Sequence, residues 1–560
     1  MTTPPSVDVN YTFQDSELEA LKAYGTVHSY QRGDVISEEG TRQADMLVTL
    51  SGFTEIYVAT PEGDERLGWM EKGQFSGDLS MITGQTALAT TIMGDPGDVL
   101  RIKFADFQRL LVENSQLSDI FVRTLSARRA FARNANRATV IILGHARDRN
   151  VFLARDLLTK HDVPHTWLDP NTDELACRII KARNIADADL PCLIRGRTTL
   201  ISRPTPAEIS DAFGLDLLPD GASADVIVVG AGPAGLAASV YAASEGLSVL
   251  NLDAKGPGGQ AGTSSKIENY LGFPMGVSGR ELAERASVQA QKFGARLAAP
   301  IKAQALNKEG ETYCLTTEDG RKLKSKAVVI ATGAQYRRLP LENLERFEGR
   351  GIYYGAPPME AQLCQRSEVI MVGAGNSAGQ GAVYLSQTAE KVHILYRRAD
   401  IRDTMSEYLV RRLEETPNII LHPETEISAL HGKSDVSPEE DHLTACTLRN
   451  CRDGSEQDCS VGFVFLFIGA APFTEWLPDT VAKDSRGFLC TGSDLQNLDL
   501  VKAGWALDRM PTRYETSWPR VYAVGDARTD SVKRVASAVG EGSVVVSDIH
   551  KAIANITGTD

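Results

Sequence analysis

The chain has 560 residues, 42% of them apolar and 24% charged, the composition of folded globular domains and too long for a single hydrophobic core, so three or four domains are expected. A formal net charge of −14 argues against general nucleic-acid binding, which needs a basic footprint. No window reaches the roughly 18 apolar residues of a membrane span, and the opening from Met1 to Ser6 lacks a basic region followed by an apolar run, so a cytosolic protein without a membrane partner is expected.

Residues from about 12 to 105 alternate apolar and polar in short runs, with turns at Gln31 to Asp34, Leu50 to Gly52 and Pro61 to Asp64. Closely spaced strands of this kind predict a small antiparallel barrel or jelly roll. From Ala105 to about Ala138 the pattern turns helical, with Phe107, Leu110, Leu111, Leu117, Ile120, Phe121 and Leu125 at steps of three and four. The basic run between Arg123 and Arg137 reads as the solvated face of that helix, and no nucleic-acid partner is inferred from it. Through Gly73 to Ser80 and Gln85 to Thr90, residues 1–138 resemble a cyclic-nucleotide-binding domain. In that family the first segment supplies a glutamate for the ribose hydroxyl and the second an arginine for the cyclic phosphate. Here those positions read Asp78 and Ala87, and loss of the arginine removes one of the stronger contacts available to an anion. The region reads as a degenerate sensor or docking module, with nucleotide sensing as the alternative.

Residues 139–214 change pattern: a strand from Thr139 to Leu143, a helix from Asn150 to His161, a strand from Thr166 to Leu168, a helix around Glu174 to Ala182, then Leu190 to Ile194. This order resembles the glutaredoxin or thioredoxin fold, which implies a cis proline at Pro191. The family's Cys-x-x-Cys would fall between His145 and Val151, where the chain has no cysteine. Residues 215–224, rich in proline and glycine, read as a linker.

Asp225 to Val229 is a buried-strand run, followed by Gly230, Gly232, Pro233, Ala234 and Gly235 in a Gly-x-Gly-x-x-Gly pattern and a helix from Leu236 to Glu245. Strand, glycines and helix in this order place a phosphate at a helix N-terminus with no Cβ in the way. The next strand, Ser248 to Leu252, ends at Asp253, positioned to accept from adenosine ribose hydroxyls and to repel a 2′-phosphate. A second unit repeats the logic with a strand from Glu368 to Val372, then Gly373, Gly375, Asn376, Ser377 and Ala378. Its second strand, Lys391 to Leu395, runs into Arg397, Arg398 and Arg402, guanidinium groups that suit the 2′-phosphate of NADPH. The first unit therefore reads as the FAD site and the second as the NADPH site.

Gly258, Gly259 and Gln260, then Glu268, Asn269 and Tyr270, follow the first unit. Ala331, Thr332 and Gly333 end the strand from Ala327 to Ile330, and Gly525 and Asp526 end another near Val521. Together with Phe467 to Gly469 and Pro472, their order resembles the low-molecular-weight thioredoxin reductases from Asp225 to the last residue. The resemblance implies an FAD domain in two parts, 225–340 and 471–560, interrupted by an NADPH domain at 341–470. It further implies that Asp526 holds the ribityl or phosphate region of FAD, that a helix opening with Val535 and Ala536 points at the flavin ring, and that the protein is a homodimer. The expected fold class is multidomain α/β: a β-barrel with helices, a thioredoxin-like module and two Rossmann-like domains, the second inserted in the first.

The same alignment places Gly355 and Pro358 where the reductases carry their two redox cysteines. Thiol–disulfide exchange requires thiolate attack on sulfur, and Pro357 with Pro358 makes a stiff segment that cannot mimic a dithiol. Tyr353 and Tyr354 just before it read as packed aromatics, with stacking near the flavin as the alternative. None of the eight cysteines forms a Cys-x-x-Cys pair, so neither a disulfide framework nor a metal site is expected. Cys446, Cys451 and Cys459 cluster near a polar turn and read as incidental thiols. The expected activity is hydride transfer from NADPH to FAD and on to an unidentified acceptor, with no catalytic side chain. Two alternatives are disulfide reduction through another thiol, Cys364, and a non-turnover NADPH sensor or scaffold.

Overall fold

The computed structural model describes the whole chain except residues 1–8, 61–62, 135–139, 147, 197–198, 217, 265, 268, 355, 357, 433–441, 497–499, 501–504, 506 and 558–560. Two four-stranded antiparallel sheets open the chain, one ordered Thr26–Tyr30, Gly97–Ile102, Met46–Thr49 and Phe75–Ser76, the other Val35–Ser37, Thr90–Asp95, Phe53–Thr60 and Gly63–Met70. Strand alternation sorts their side chains. Leu47 and Val99 meet Ile36 and Met93 of the facing sheet, while Met46, Val48, Leu100 and Ile102 turn to the helices that follow.

Those helices are two, Phe104–Glu113 and Ser115–Asn134, rather than one continuous stretch. Asn114 breaks the run, and its Oδ1 accepts a hydrogen bond from the Leu117 amide at 3.1 Å. Within the basic run on the second helix, Arg123 is exposed and Arg137 lies outside the described residues, but Arg128, Arg129 and Arg133 are not a solvated face. Arg129 is only 1% exposed, Arg128 lies over the Phe75 ring at 4.6 Å, and Arg133 pairs with Asp162 and Glu284. Periodicity alone misses this because the partners are carboxylates supplied by other parts of the chain.

A third sheet orders its strands His165–Leu168, Val140–Leu143, Cys192–Arg195 and Thr199–Ser202, the first pair parallel and the others antiparallel. Val140 and Ile142 pack against the helices Arg149–Lys160 and Pro206–Phe213, Ile141 and Leu143 against Glu174–Arg183. The Leu190–Pro191 peptide is cis.

The largest sheet runs Arg296–Ala298, Val249–Leu252, Ser223–Val229 and Lys322–Ile330 in parallel, with an antiparallel extension through Thr312–Thr317 and Ala303–Glu309. Val226 to Val229 are all buried, Val226 and Val228 toward one core and Ile227 and Val229 toward the other, as a sheet covered on both faces requires. Val521–Ala523 adds to this sheet beside Val328 to Ile330, so a late strand completes an early domain. Between them, Ala334–Tyr336 pairs antiparallel with Ala470–Pro472, forming the neck of an inserted domain. That insertion holds a parallel sheet of Ile352–Tyr353, Val464–Leu466, Glu368–Val372, Lys391–Leu395 and Ile419–His422. A three-stranded antiparallel layer, Thr425–Gly432, Leu443–Asn450 and Glu456–Cys459, lies alongside. The fold is multidomain α/β, one nucleotide-type unit interrupting the other. Among the described residues, no helix is long and apolar enough to cross a membrane.

Candidate functional site

In the first glycine turn, Gly230 has φ +111° and a Cβ there would overlap the Ala331 carbonyl, while a Cβ at Gly235 would overlap the Gly230 carbonyl. These two glycines let the helix Pro233–Ser244 sit directly against the strand. Gly232 is different: the nearest atom to a Cβ there is the Gly259 Cα at 3.8 Å. It N-caps the helix without any side-chain cap, leaving first-turn amides directed into open space, the arrangement that receives a phosphate. Asp253 ends the second strand with Oδ2 accepting from the Ala231 amide at 2.8 Å and Oδ1 from Lys255 and Gly256 at 2.8 and 2.9 Å. It thereby ties the two loops together, and its oxygens retain lone pairs for ribose hydroxyls.

Across the sheet, a Cβ at Gly525 would lie 2.9 Å from Ala234 and 3.7 Å from Ala538, which brings the late segment and the helix Val535–Thr557 onto the first glycine turn. Glu541 on that helix accepts from the Gly525 amide at 2.7 Å and pairs with Arg528 at 2.8 Å. Burial pushes the Asp526 carboxyl up, opposed by the Lys533 ammonium. Lys533 donates to the Asp526 carbonyl at 2.8 Å. The Gln260 amide donates to the Ala334 carbonyl, Thr332 donates to the Phe473 carbonyl at 3.1 Å, and Gly333 has φ +63°. Asn269 is exposed on a turn after Ile267, and Glu268 lies outside the described residues.

The second turn repeats these contacts. Gly373 has φ +144° and a Cβ there would overlap the Phe467 carbonyl, whereas nothing lies within 4 Å of a Cβ at Gly375. Gly375 caps the helix Asn376–Leu385 without a side chain, Asn376 Oδ1 accepts from the Ser406 amide at 2.8 Å, Ser377 is exposed and Ala378 buried. Arg397 and Arg398 are exposed past the second strand. Arg402 is engaged with Glu414 at 2.7 Å.

Of the segment at the cysteine positions, Gly355 and Pro357 lie outside the described residues, and Pro358 opens the helix Pro358–Leu363. Tyr353 is 5% exposed and packs against Phe463 and Phe465, while the Tyr354 hydroxyl donates to Glu348 at 2.6 Å. Both are packed residues. Cys364 is fully buried, its thiol 3.6 Å from the Ala361 carbonyl.

At the N-terminal cassette, Asp78 pairs with Arg129 at 2.6 Å, and Arg129 also donates to the Asp162 carbonyl. Beside Ala87 a different arginine arrives: Arg195, 7% exposed, from the strand Cys192–Arg195. It donates to Thr86 Oγ1 at 3.0 Å, the Ala212 carbonyl at 2.7 Å and the Ala87 carbonyl at 3.3 Å, and lies 3.4 Å from Glu39. No local signal in the sequence announces it, because the two positions are 108 residues apart. Where the three regions meet, a cavity beside Asp253 is lined by Gln85, His161 and Glu284. Burial holds His161 down at about 3, so it stays neutral.

Two glycine-turn units in one chain, one interrupting the other and each ending in an uncapped helix N-terminus, define a flavoprotein-type oxidoreductase with two dinucleotide sites. Residues 224–542 match the model for the pyridine nucleotide-disulphide oxidoreductases, and the chain belongs to that family. It is an NADPH-dependent flavoprotein oxidoreductase whose cofactors are FAD and NADPH. Residues 27–114 match the model for the cyclic nucleotide-binding domain. The chain is 30% identical to the thioredoxin reductase of Treponema pallidum over 320 residues, covering 57% of this chain and 94% of that protein. It is also 30% identical to NADPH-dependent thioredoxin reductase 3 of Arabidopsis thaliana over 365 residues, 62% of this chain and 64% of that one. Among solved structures, the thioredoxin reductase of T. acidophilum superposes with a TM-score of 0.51 at 26% identity, covering 59% of this chain and 98% of that one.

Proposed function

We propose that the chain transfers electrons from NADPH through FAD directly to an external acceptor, without a protein dithiol. The observation that carries this reading is that none of the eight cysteines forms a Cys-x-x-Cys pair. In the resemblance to the thioredoxin reductases Gly355 and Pro358 stand at the redox-cysteine positions, and Cys364 is sealed at 0% exposure. Bound FAD supplies the hydride and electron chemistry. The amides after Gly232 would hold the FAD diphosphate and Asp253 the adenosine ribose, and the helix N-terminus at Val535 and Ala536 would favour negative charge on the ring. Gly375 and the exposed Arg397 and Arg398 receive NADPH. A cytosolic setting suits a chain whose eight cysteines are all free thiols, and a homodimer follows from the family resemblance.

The N-terminal regions, 1–138 and 139–214, act in this reading as a docking assembly rather than a nucleotide sensor. Arg195 supports it by filling the place beside Ala87, and Arg129 by engaging Asp78. Anaerobic titration with NADPH, followed by a panel of quinone, iron, oxygen and disulfide acceptors, tests the whole proposal. Bleaching of the flavin and turnover with a non-disulfide acceptor are expected. Thioredoxin or insulin reduction that is lost in Cys364→Ser would overturn it, and bleaching that halts with every acceptor would favour a sensor.

A further inference from the structure

The strands Leu443–Asn450 and Glu456–Cys459 pair antiparallel in a register that sets Cys446 directly opposite Cys459. Partners opposite one another in such a ladder have Cα atoms ~4.5–5.5 Å apart and side chains on one face. That spacing lies inside the ~4.4–6.8 Å a disulfide spans, so the register brings the two sulfurs onto one face at a backbone separation a disulfide can bridge. The environments of the two thiols differ. Cys446 is fully buried in an apolar cluster with Ile370, Val372 and Val464, whereas Cys459 packs at the edge of the same cluster and is half-buried at the end of its strand. The side chain of Cys446 holds Cys459 below its ordinary value, at about 7, and the neighbouring Cys459 together with burial pushes Cys446 up. The half-buried thiol is thus the one nearer solvent, with the buried one beside it.

Ile370 and Val372 belong to the strand that ends at Gly373, so the pair sits on the layer supporting the second glycine turn. We propose that Cys446 and Cys459 are a modification site, forming a reversible cross-strand disulfide when the chain meets a small-molecule disulfide oxidant such as oxidised glutathione. In the first step the Cys459 thiolate attacks one sulfur of the oxidant, a mixed disulfide forms and one thiolate leaves. Cys446 then gives its proton to that thiolate, its sulfur attacks Cys459 Sγ, and the second thiolate departs and takes up the proton that Cys459 had lost to solvent. Two protein thiols are oxidised by two electrons and one disulfide is reduced to two thiols.

The test uses the full-length holoprotein, incubated anaerobically with oxidised glutathione, blocked with N-ethylmaleimide, digested and read by mass spectrometry. A peptide pair linked through Cys446 and Cys459, cleaved by dithiothreitol, is expected. In Cys446→Ser, Cys459 is expected to remain as the glutathione mixed disulfide; in Cys459→Ser, Cys446 is expected to stay unmodified. Since the unsubstituted protein carries the main readout, a variant that fails to fold does not decide the question. Recovery of Cys446 and Cys459 both alkylated, or a link from Cys459 to Cys451 instead, overturns the proposal.

Discussion

Phe152, on the helix Arg149–Lys160, packs its ring against Tyr353 of the inserted domain, with centroids 6.4 Å apart and planes at 53°. A Cβ at Gly349 would lie 3.8 Å from Arg149 and 3.9 Å from Phe152, so the start of this helix rests on the segment from Gly349 to Tyr353 of the inserted domain. Aromatic pairs at such spacing couple by ~0.5–1.5 kcal/mol beyond area burial. A double-mutant cycle with Phe152→Ala and Tyr353→Ala, read by denaturant unfolding, should return a coupling in that range, and additivity would mean the contact is not made in solution.

The Asp78–Arg129 pair predicts an acid-sensitive N-terminal domain. Arg129 holds the Asp78 carboxyl below its ordinary 3.8 against the opposing effect of burial. The pair's stabilisation is therefore fully present above the ordinary carboxylate range and lost as pH falls through that range and below it. Arg129→Met leaves the half-buried Asp78 without its charged partner, at a cost of about 1–3 kcal/mol near neutral pH. Melting curves from pH 7 to pH 3 should show the penalty shrinking with acid, and a pH-independent penalty would contradict the assignment.

Cyclic nucleotides should leave the protein unchanged. A ligand present at 100 times its Kd would stabilise the native state by about 2.7 kcal/mol, enough to raise the melting temperature measurably. Millimolar cAMP and cGMP are expected to produce no shift, because Arg195 and Arg129 already occupy the polar groups of the cassette.

Two alanine substitutions should separate cofactor binding from folding. Gly232 has φ −74° and no close neighbour, so Gly232→Ala should keep its circular dichroism and lose flavin absorbance, since the added Cβ enters the phosphate cradle. Gly235→Ala forces a Cβ into the Gly230 carbonyl and should destabilise the domain itself. Equal flavin content in Gly232→Ala and the unsubstituted chain would refute the cradle.

Arg397→Ala should lower kcat/KM for NADPH by about 10- to 100-fold, the worth of one charge-assisted hydrogen bond to phosphate, while NADH is little affected. Steady-state rates with both nucleotides measure it, and parallel losses would place the 2′-phosphate elsewhere.

The sequence by itself determined the two nucleotide units, because strand, glycines and helix are contiguous and each carries its own geometric reason, from Gly230 and Gly235 to Gly373. It also determined that no Cys-x-x-Cys pair is present among the eight cysteines, since a local spacing of two sulfurs is written in the chain itself. Only the tertiary structure decided which arginines are buried. Arg129 meets Asp78 across 51 residues and Arg195 meets Thr86 across 109, distances over which helical periodicity carries no information, and a run of arginines looks solvated until carboxylates from other elements close over it. The same holds for Cys446 and Cys459, scattered thiols in sequence that strand register places face to face. Local backbone demands are written locally in the chain; pairings between distant side chains depend on register and docking, which exist only once the sheets have formed.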